Sequence, residues 1–228
     1  MPQQRRAQAT RRAITLAAAE EFDRVGYDGT PLSAILRRGG VTKGAFYFHF
    51  SSKEALAVAL VRLQARVWSR LWRRWKRREL DPLSIAVGAI NEAMRLVERD
   101  VVLRAGSSLA RRRAGFPAGV LPASDLPPSD FPPADFPAAE QSGALDWERQ
   151  LVELLRKAAD SGLLRAGVEP CSAARVVHAA VLGAEILGSQ QPGRLGAADR
   201  TVEVWRIVLT GIASSDWLCR NLPSPVAD

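Results

Sequence analysis

The 228-residue chain has few of the residues from which metal, redox and nucleophilic sites are built. Its two cysteines, Cys171 and Cys219, and its two histidines, His49 and His178, lack the close spacing of a metal or redox motif. Two thiols in a chain of this length fit a reducing compartment better than a disulfide scaffold. No Ser/His/Asp or Cys/His set can be assembled, and no phosphate-binding glycine loop follows a strand. We therefore expect a protein that is not an enzyme and needs no metal or cofactor.

Long apolar runs are also missing. No stretch approaches the roughly 20 residues needed to cross a bilayer, and Glu20, Glu21 and Asp23 interrupt the segment in which a signal peptide would be apolar. The tryptophan-bearing basic segment 66–78 could lie on a membrane as an amphipathic helix. Its apolar stripe is continuous with that of a core helix, however, so we expect a cytoplasmic protein that does not bind membranes.

Alternating strand patterns are absent as well, so the sequence predicts an all-α fold. Apolar periodicity predicts long helices over 10–25, 53–78, 83–97, 101–113, 146–161, 171–190 and 198–214. Two short helices are predicted between the first two of these, one with Thr30 at the N-cap and Pro31 at its first position, the other capped by Thr42. Ser51 to Glu54 predicts a capping box for the long helix that follows.

Seven of the 14 prolines lie between residues 117 and 137. We expect a Pro-rich loop over 117–140 with no helix in it. It could serve as a mobile lid or as a docking site for a proline-binding domain, but an extended linker with polyproline character is the favoured interpretation.

The positive charge is concentrated at one end of the chain. Residues 1–78 hold 17 Lys/Arg and 5 Asp/Glu, a net charge of +12, whereas residues 79–228 carry a net charge of −4. A basic end on a slightly acidic body is the electrostatic footprint of a protein that meets phosphates. A basic surface that only faces solvent would give the same distribution of charge.

The order of short helix, glycine turn and short helix predicts a helix-turn-helix, whose second helix enters the major groove of DNA. We expect a DNA-binding domain over 1–52 and a helical ligand-binding and dimerisation domain over 53–228. Lys43 is the candidate for contacting the edge of a base, since a hydrogen bond from Lys or Arg to guanine is the commonest specific contact. Phosphate contacts are expected from Thr42, Tyr47, His49 and Lys53. The full set of DNA-contacting candidates is Thr30, Ser33, Thr42, Lys43, Gly44, Tyr47, His49 and Lys53.

Three phenylalanines in the same stretch, Phe46, Phe48 and Phe50, are expected to pack in the core and not to contact DNA.

Further along the chain, the last two predicted helices carry too many apolar residues for a single core face. We expect them to form a homodimer contact through Val176, Val177, Val181, Ile186 and Leu187, then Val204, Ile207, Val208 and Ile212.

The segment GYDGTPLSAILRRGG followed by VTKGAFYFHFSSKEAL closely resembles the DNA-binding domain of the TetR family of bacterial repressors, over about Thr10 to Leu60. Gln64, the VLRAG segment at 102–106 and Trp147 extend the resemblance to the γ-butyrolactone autoregulator receptors of antibiotic-producing bacteria. The resemblance implies a TetR-like fold and a homodimeric repressor on a pseudo-palindromic operator near antibiotic-biosynthesis genes. It also implies release from DNA when a lactone, furan or butenolide binds.

The same resemblance implies which residues line a ligand pocket. Trp147 would cover the flat face of the ligand and Gln64 would hydrogen-bond a ligand carbonyl. Leu151, Val181 and Ala184 complete the expected lining, and Ala184 stands near the place where the receptors tend to carry a hydroxyl. The alternatives are that Trp147 only packs in a hydrophobic core and that the Gln64 side chain faces solvent.

Two other functions remain open. The strongly basic composition, with a net charge of +8, resembles that of the family's pseudo-receptors, which answer to antibiotics or biosynthetic intermediates. A small-molecule carrier without a DNA role is the alternative from a different class.

Overall fold

A computed structural model describes residues 2–113, 143–190 and 195–221, and the regular elements in these ranges are all helices. The all-α prediction is confirmed. The Pro-rich segment 117–140 lies outside the described residues. The helices are α1 Pro2–Val25, α2 Leu32–Gly39, α3 Lys43–His49, α4 Lys53–Lys76, α5 Pro82–Arg99, α6 Val101–Arg113, α7 Gly143–Asp160, α8 Pro170–Gln190, α9 Ala197–Ile212 and α10 Ser215–Asn221. Helix α10 and the first eight residues of α1 were not predicted.

The chain divides into two compact units, and the division falls inside α4. Unit 1 comprises Met1–Val67 with Asp100–Gly143, and unit 2 comprises Trp68–Arg99 with Ala144–Asp228. This differs from the expected boundary at residue 52, because α6 packs along α1 and the first half of α4 shares their core. The helix-turn-helix is therefore part of a larger unit than its three helices.

Unit 1 has a core to which each of its five helices contributes. Its buried members are Ile14, Ala17, Ala18, Ala19, Phe22, Tyr27, Ile35, Phe46, Phe50, Leu56, Ala57, Leu60, Ala105 and Leu109. Two ion pairs add to the α1–α6 contact, Arg104 with Asp23 and Arg112 with Asp28. Helix α6 also approaches α4 closely, because a Cβ at Gly106 would stand 2.7 Å from the Gln64 Cβ.

Helix α2 ends as the sequence predicts and begins differently. Gly40 closes it in the left-handed region (φ 61°), with the Val41 amide donating to the Leu36 carbonyl at 3.1 Å. The N-cap is Pro31, without a side-chain hydrogen bond, so the prediction of Thr30 as the N-cap is wrong. The Thr30 hydroxyl instead points at the carbonyl oxygens of Gly26 and Glu21, 2.7 and 3.2 Å away, at the end of α1.

Unit 2 packs α5 against α9 and α8 against α9. Its most deeply buried large side chains are Leu83, Ile90, Val97, Leu151, Leu155, Val177 and Leu209. Asp81 caps α5 by accepting from the amides of Leu83 and Ser84 at 3.0 and 2.9 Å, and it also accepts from the Trp217 indole N–H at 3.0 Å. That last bond fixes α10 to the start of α5.

One helix in the described ranges, spanning Pro170–Ser189, is long and apolar enough to cross a membrane by length and composition alone. The core helix of a globular protein passes the same test, and α8 buries Ala173, Ala174, Val177, Val181 and Ala184 within unit 2. Packing within unit 2 therefore accounts for part of the apolar character of α8, since about a third of this segment is buried.

We predict that Asp81→Ala lowers the free energy of unfolding by about 1–3 kcal/mol, because it removes a helix cap and leaves the buried indole N–H of Trp217 unpaired. Burial by itself raises the pKa of Asp81, but the hydrogen bonds from Ser84, Trp217 and Leu83 together outweigh it, so that the pKa is lowered. The contribution of its ionised form is present above the unfolded pKa, so the difference from wild type should shrink as the pH falls below about 4.

Urea unfolding at several pH values measures this loss. Asp199→Ala, an exposed residue in the first turn of α9, is the matched control and should change stability little. Equal stabilities of the Asp81 variant and wild type at neutral pH would contradict the capping role.

Candidate functional site

Helix α3 has one buried face and one exposed face. Phe46 is fully buried and Phe50, one turn later, is 5% exposed, so this pair fixes the helix to the core of unit 1. Tyr47 is 49% and Phe48 is 75% exposed. The prediction that all three phenylalanines pack in the core is therefore right for Phe46 and Phe50 and wrong for Phe48.

The start of α3 displays polar groups on the same exposed side. The Thr42 hydroxyl accepts from the Ala45 amide at 3.2 Å, which confirms the predicted cap. Thr42, Lys43 and Gly44 are all exposed, and the Lys43 ammonium lies 6.0 Å from the centre of the Tyr47 ring. A Cβ at Gly44 would meet nothing within 4 Å. Packing within the protein therefore does not require glycine there, whereas a closely approaching partner would.

The end of α3 is held by Arg11 of α1. The Arg11 guanidinium lies 4.5 Å from the centre of the Phe50 ring and donates to the His49 carbonyl oxygen at 3.1 Å. Partial burial, and then the nearby Arg11 charge, lower the pKa of His49. Both effects favour the neutral imidazole in the protein alone, and either protonation state of the ring can donate a hydrogen bond.

Lys53 and Thr30 face inward. The Lys53 ammonium donates to the carbonyl oxygens of Tyr27 and Thr30 at 3.1 and 3.0 Å and lies 4.3 Å from the centre of the Tyr27 ring. Thr30 is fully buried, so its side chain does not face a partner in this structure. Ser33, by contrast, is exposed on α2. Of the predicted DNA-contacting residues, Lys53 and Thr30 are thus engaged in holding the turn between α1 and α2.

Tyr27 completes this arrangement. Its hydroxyl donates to the Glu54 carboxylate at 2.8 Å, and burial together with that carboxylate raises the pKa of Tyr27. Glu54 therefore binds Tyr27, while Ser52 caps α4 by accepting from the Ala55 amide at 3.1 Å. The start of α4 is fixed to the turn that follows α1.

The residues expected to line a pocket fall into both units. Gln64 lies in unit 1, is 6% exposed, and donates from Nε2 to the Ser107 hydroxyl oxygen at 2.8 Å, while its Oε1 is buried without a hydrogen-bond partner. Gln64 is thus not solvated. Its unpaired oxygen is an acceptor, and the expected contact to a ligand carbonyl would use the second N–H of the same amide nitrogen.

The other four candidates belong to unit 2. Leu151, Val181 and Ala184 are buried on α7 and α8. Trp147 is half-buried near the start of α7, with its ring edge-to-face against Trp68 and Trp72 at centroid distances of 5.6 and 4.9 Å. Both belong to the tryptophan-bearing segment 66–78, for which the sequence predicts an apolar stripe but no link to Trp147.

Residues 14–60 match the family model of bacterial regulatory proteins, tetR family. The chain is 29% identical to the A-factor receptor protein of Streptomyces griseus over 93% of its own length and 67% of that protein. It is 30% identical to a γ-butyrolactone receptor, an ArpA-like protein, with a TM-score of 0.75 and 94% of each chain covered. It is 31% identical to CprB of Streptomyces coelicolor, a TetR family protein solved in complex with its operator sequence, with a TM-score of 0.73 and 94% of each chain covered.

We predict that Phe48→Ala leaves the free energy of unfolding within about 0.5 kcal/mol of wild type, because the side chain makes little core contact. Phe46→Ala, the matched substitution two residues earlier, should cost about 3–5 kcal/mol by opening a cavity. Denaturant unfolding of the two variants checks this. Similar losses would contradict the exposed position of Phe48.

Proposed function

The chain belongs to the tetR family of bacterial regulatory proteins, and on this basis we propose that it is a ligand-responsive repressor that binds a pseudo-palindromic operator as a homodimer. The observation that carries the proposal is α3: a helix anchored by Phe46 whose other face carries Thr42, Lys43, Gly44 and Tyr47 in the open. A short helix held rigidly in this way is what a major-groove reader requires.

On this proposal the exposed residues of α3 have different roles. Lys43 donates to a guanine edge, and Gly44 allows the backbone to approach the duplex. Thr42, Tyr47, Ser33 and His49 donate to phosphate oxygens, which position the helix without reading sequence. Phe48, exposed on the same helix, offers an apolar contact to a thymine methyl group. Lys53 and Thr30 act indirectly, by fixing the turn that sets the angle of α2 and α3.

Dimerisation is supported by apolar side chains that unit 2 leaves uncovered on α8 and α9. Val176 is 57%, Leu187 46% and Ile207 74% exposed, and Val202 adds a further apolar residue at 36%. A partner copy that covers this face by two-fold symmetry would also set the separation of the two α3 helices, which must be about 34–36 Å or a multiple of it.

The effector half of the proposal rests on Trp147, Leu151, Val181 and Ala184, which all belong to unit 2. The relatives named as γ-butyrolactone receptors support an effector of lactone, furan or butenolide type. Helix α4 is continuous and contributes its first half to unit 1 and its second half to unit 2. A ligand that prefers one position of α4 would therefore change the position of α3, and the DNA would be released. The controlled genes would serve antibiotic or secondary-metabolite synthesis.

We predict that Lys43→Ala reduces discrimination between the operator and a scrambled duplex by about tenfold or more, because the base-edge donor is lost. Mobility-shift titration on duplex DNA from upstream of the protein's own gene measures it. Lys157→Ala on α7 removes the same charge from an exposed site and is the control. Unchanged operator affinity of the Lys43 variant would contradict the assignment of α3.

We further predict that Ile207→Glu converts the dimer to monomers and weakens operator binding, because it places a charge on an apolar contact face. Sedimentation velocity, with circular dichroism to confirm the fold, checks this result. Arg95→Glu, on the exposed side of α5, should leave the dimer intact. A dimeric Ile207 variant would show that the contact lies elsewhere.

A further inference from the structure

Three tryptophans of unit 2 form one aromatic cluster, which consists of Trp68 and Trp72 on α4 and Trp147 on α7. Trp68 and Trp72 are 4% and 3% exposed, and both present their rings at steep angles to Trp147, 77° and 64°. The Trp147 ring itself is only half-buried. Part of Trp147 therefore remains accessible beside two rings that are nearly enclosed.

Within this cluster the indole N–H of Trp72 is buried and has no hydrogen-bond partner. Trp75, one turn later on α4, donates to the Glu92 carboxylate at 2.7 Å, and Trp217 donates to Asp81 at 3.0 Å. Buried donors in native proteins are almost always paired, and an unpaired one destabilises the fold. The Trp72 N–H is therefore a buried donor without an acceptor among the described residues.

Another indole N–H, that of Trp205 on α9, is also buried without a partner. Trp72 differs from it in packing directly on Trp147, with ring centroids 4.9 Å apart. A molecule that covers the accessible part of Trp147 would therefore lie beside Trp72. An indole N–H is a donor only, so the group that pairs with it must be an acceptor such as a carbonyl oxygen.

We propose that Trp72 is a ligand-binding residue whose indole N–H donates to the carbonyl oxygen of the effector, while the effector ring lies against Trp147. This inference rests on the proposed function, since it assigns a contact within the same effector site. It restricts the effector to apolar molecules with a carbonyl acceptor, such as cyclic esters. It also assigns carbonyl recognition to Trp72, whose one donor has no partner, and not to Gln64, which belongs to unit 1 and binds Ser107.

The test uses the full-length protein and two probes of similar size, γ-decalactone and hexylcyclopentane, the second of which has no hydrogen-bond acceptor. Trp72→Phe keeps an aromatic ring and removes the N–H. We expect its dissociation constant for the lactone, measured by calorimetry, to rise about tenfold, while its affinity for the hydrocarbon stays that of wild type. Trp205→Phe makes the same change at the other buried and unpaired indole N–H, outside the aromatic cluster, and it should bind the lactone as wild type does.

A second measurement titrates only the wild-type protein, so its result does not depend on how well a variant folds. In wild-type protein with ¹⁵N-labelled indoles, one of the six tryptophan N–H signals should be missing from the Trp72→Phe spectrum and can be assigned to Trp72. The lactone should move this signal downfield, as expected when an N–H gains an acceptor, and the hydrocarbon, which has no acceptor, should not.

The outcomes separate the inference from the proposed function. If wild type binds the lactone but the Trp72 signal does not move and Trp72→Phe binds as tightly, the inference is overturned and the lactone effector stands. If wild type does not bind the lactone and keeps its operator in its presence, the effector class is wrong and the inference falls with it.

Discussion

The burial of Phe46 is the contact on which the exposed surface of α3 depends. A seven-residue helix is too short to be stable by itself, so its geometry must come from packing. Phe46 supplies that packing from the middle of the helix, Phe50 and Arg11 fix its end, and Thr42 caps its start. The side chains between these points are left free to face a partner. Rigid support and an open surface are thus products of the same short segment.

Local signals predicted α3 well. The Thr42 cap, the Gly40 turn and the burial of Phe46 and Phe50 follow from residue type and helical spacing, which are properties of a few neighbouring residues. The prediction for Phe48 is wrong because it rested on the hydrophobicity of phenylalanine and not on the position of this residue along the helix. It is two residues from both Phe46 and Phe50, so on a helix it must point away from the face that they share.

The remaining differences involve partners distant in sequence. Thr30 was expected to cap the helix after it, but its hydroxyl binds carbonyl groups at the end of the helix before it. The division of the chain was expected before α4 and lies within it, because Ala105 and Leu109 of α6 join the core of α1 and α4. The pairing of Trp147 with Trp68 and Trp72 crosses about 75 residues of sequence. Periodicity within one helix carries no information about such pairings.

Several basic side chains of unit 1 are committed to the fold itself. Nine Lys and Arg residues occur between residues 1 and 53, and four of them, Arg11, Arg24, Arg38 and Lys53, bind carbonyl or carboxylate oxygens of the same unit. A cation paired with a carboxylate, as Arg24 and Arg38 are with Glu21, contributes little net charge toward a duplex, whereas Arg11 and Lys53, which bind neutral carbonyl oxygens, keep theirs. If the proposed function holds, the salt dependence of DNA affinity should therefore correspond to fewer phosphates than the number of basic residues at this end of the chain.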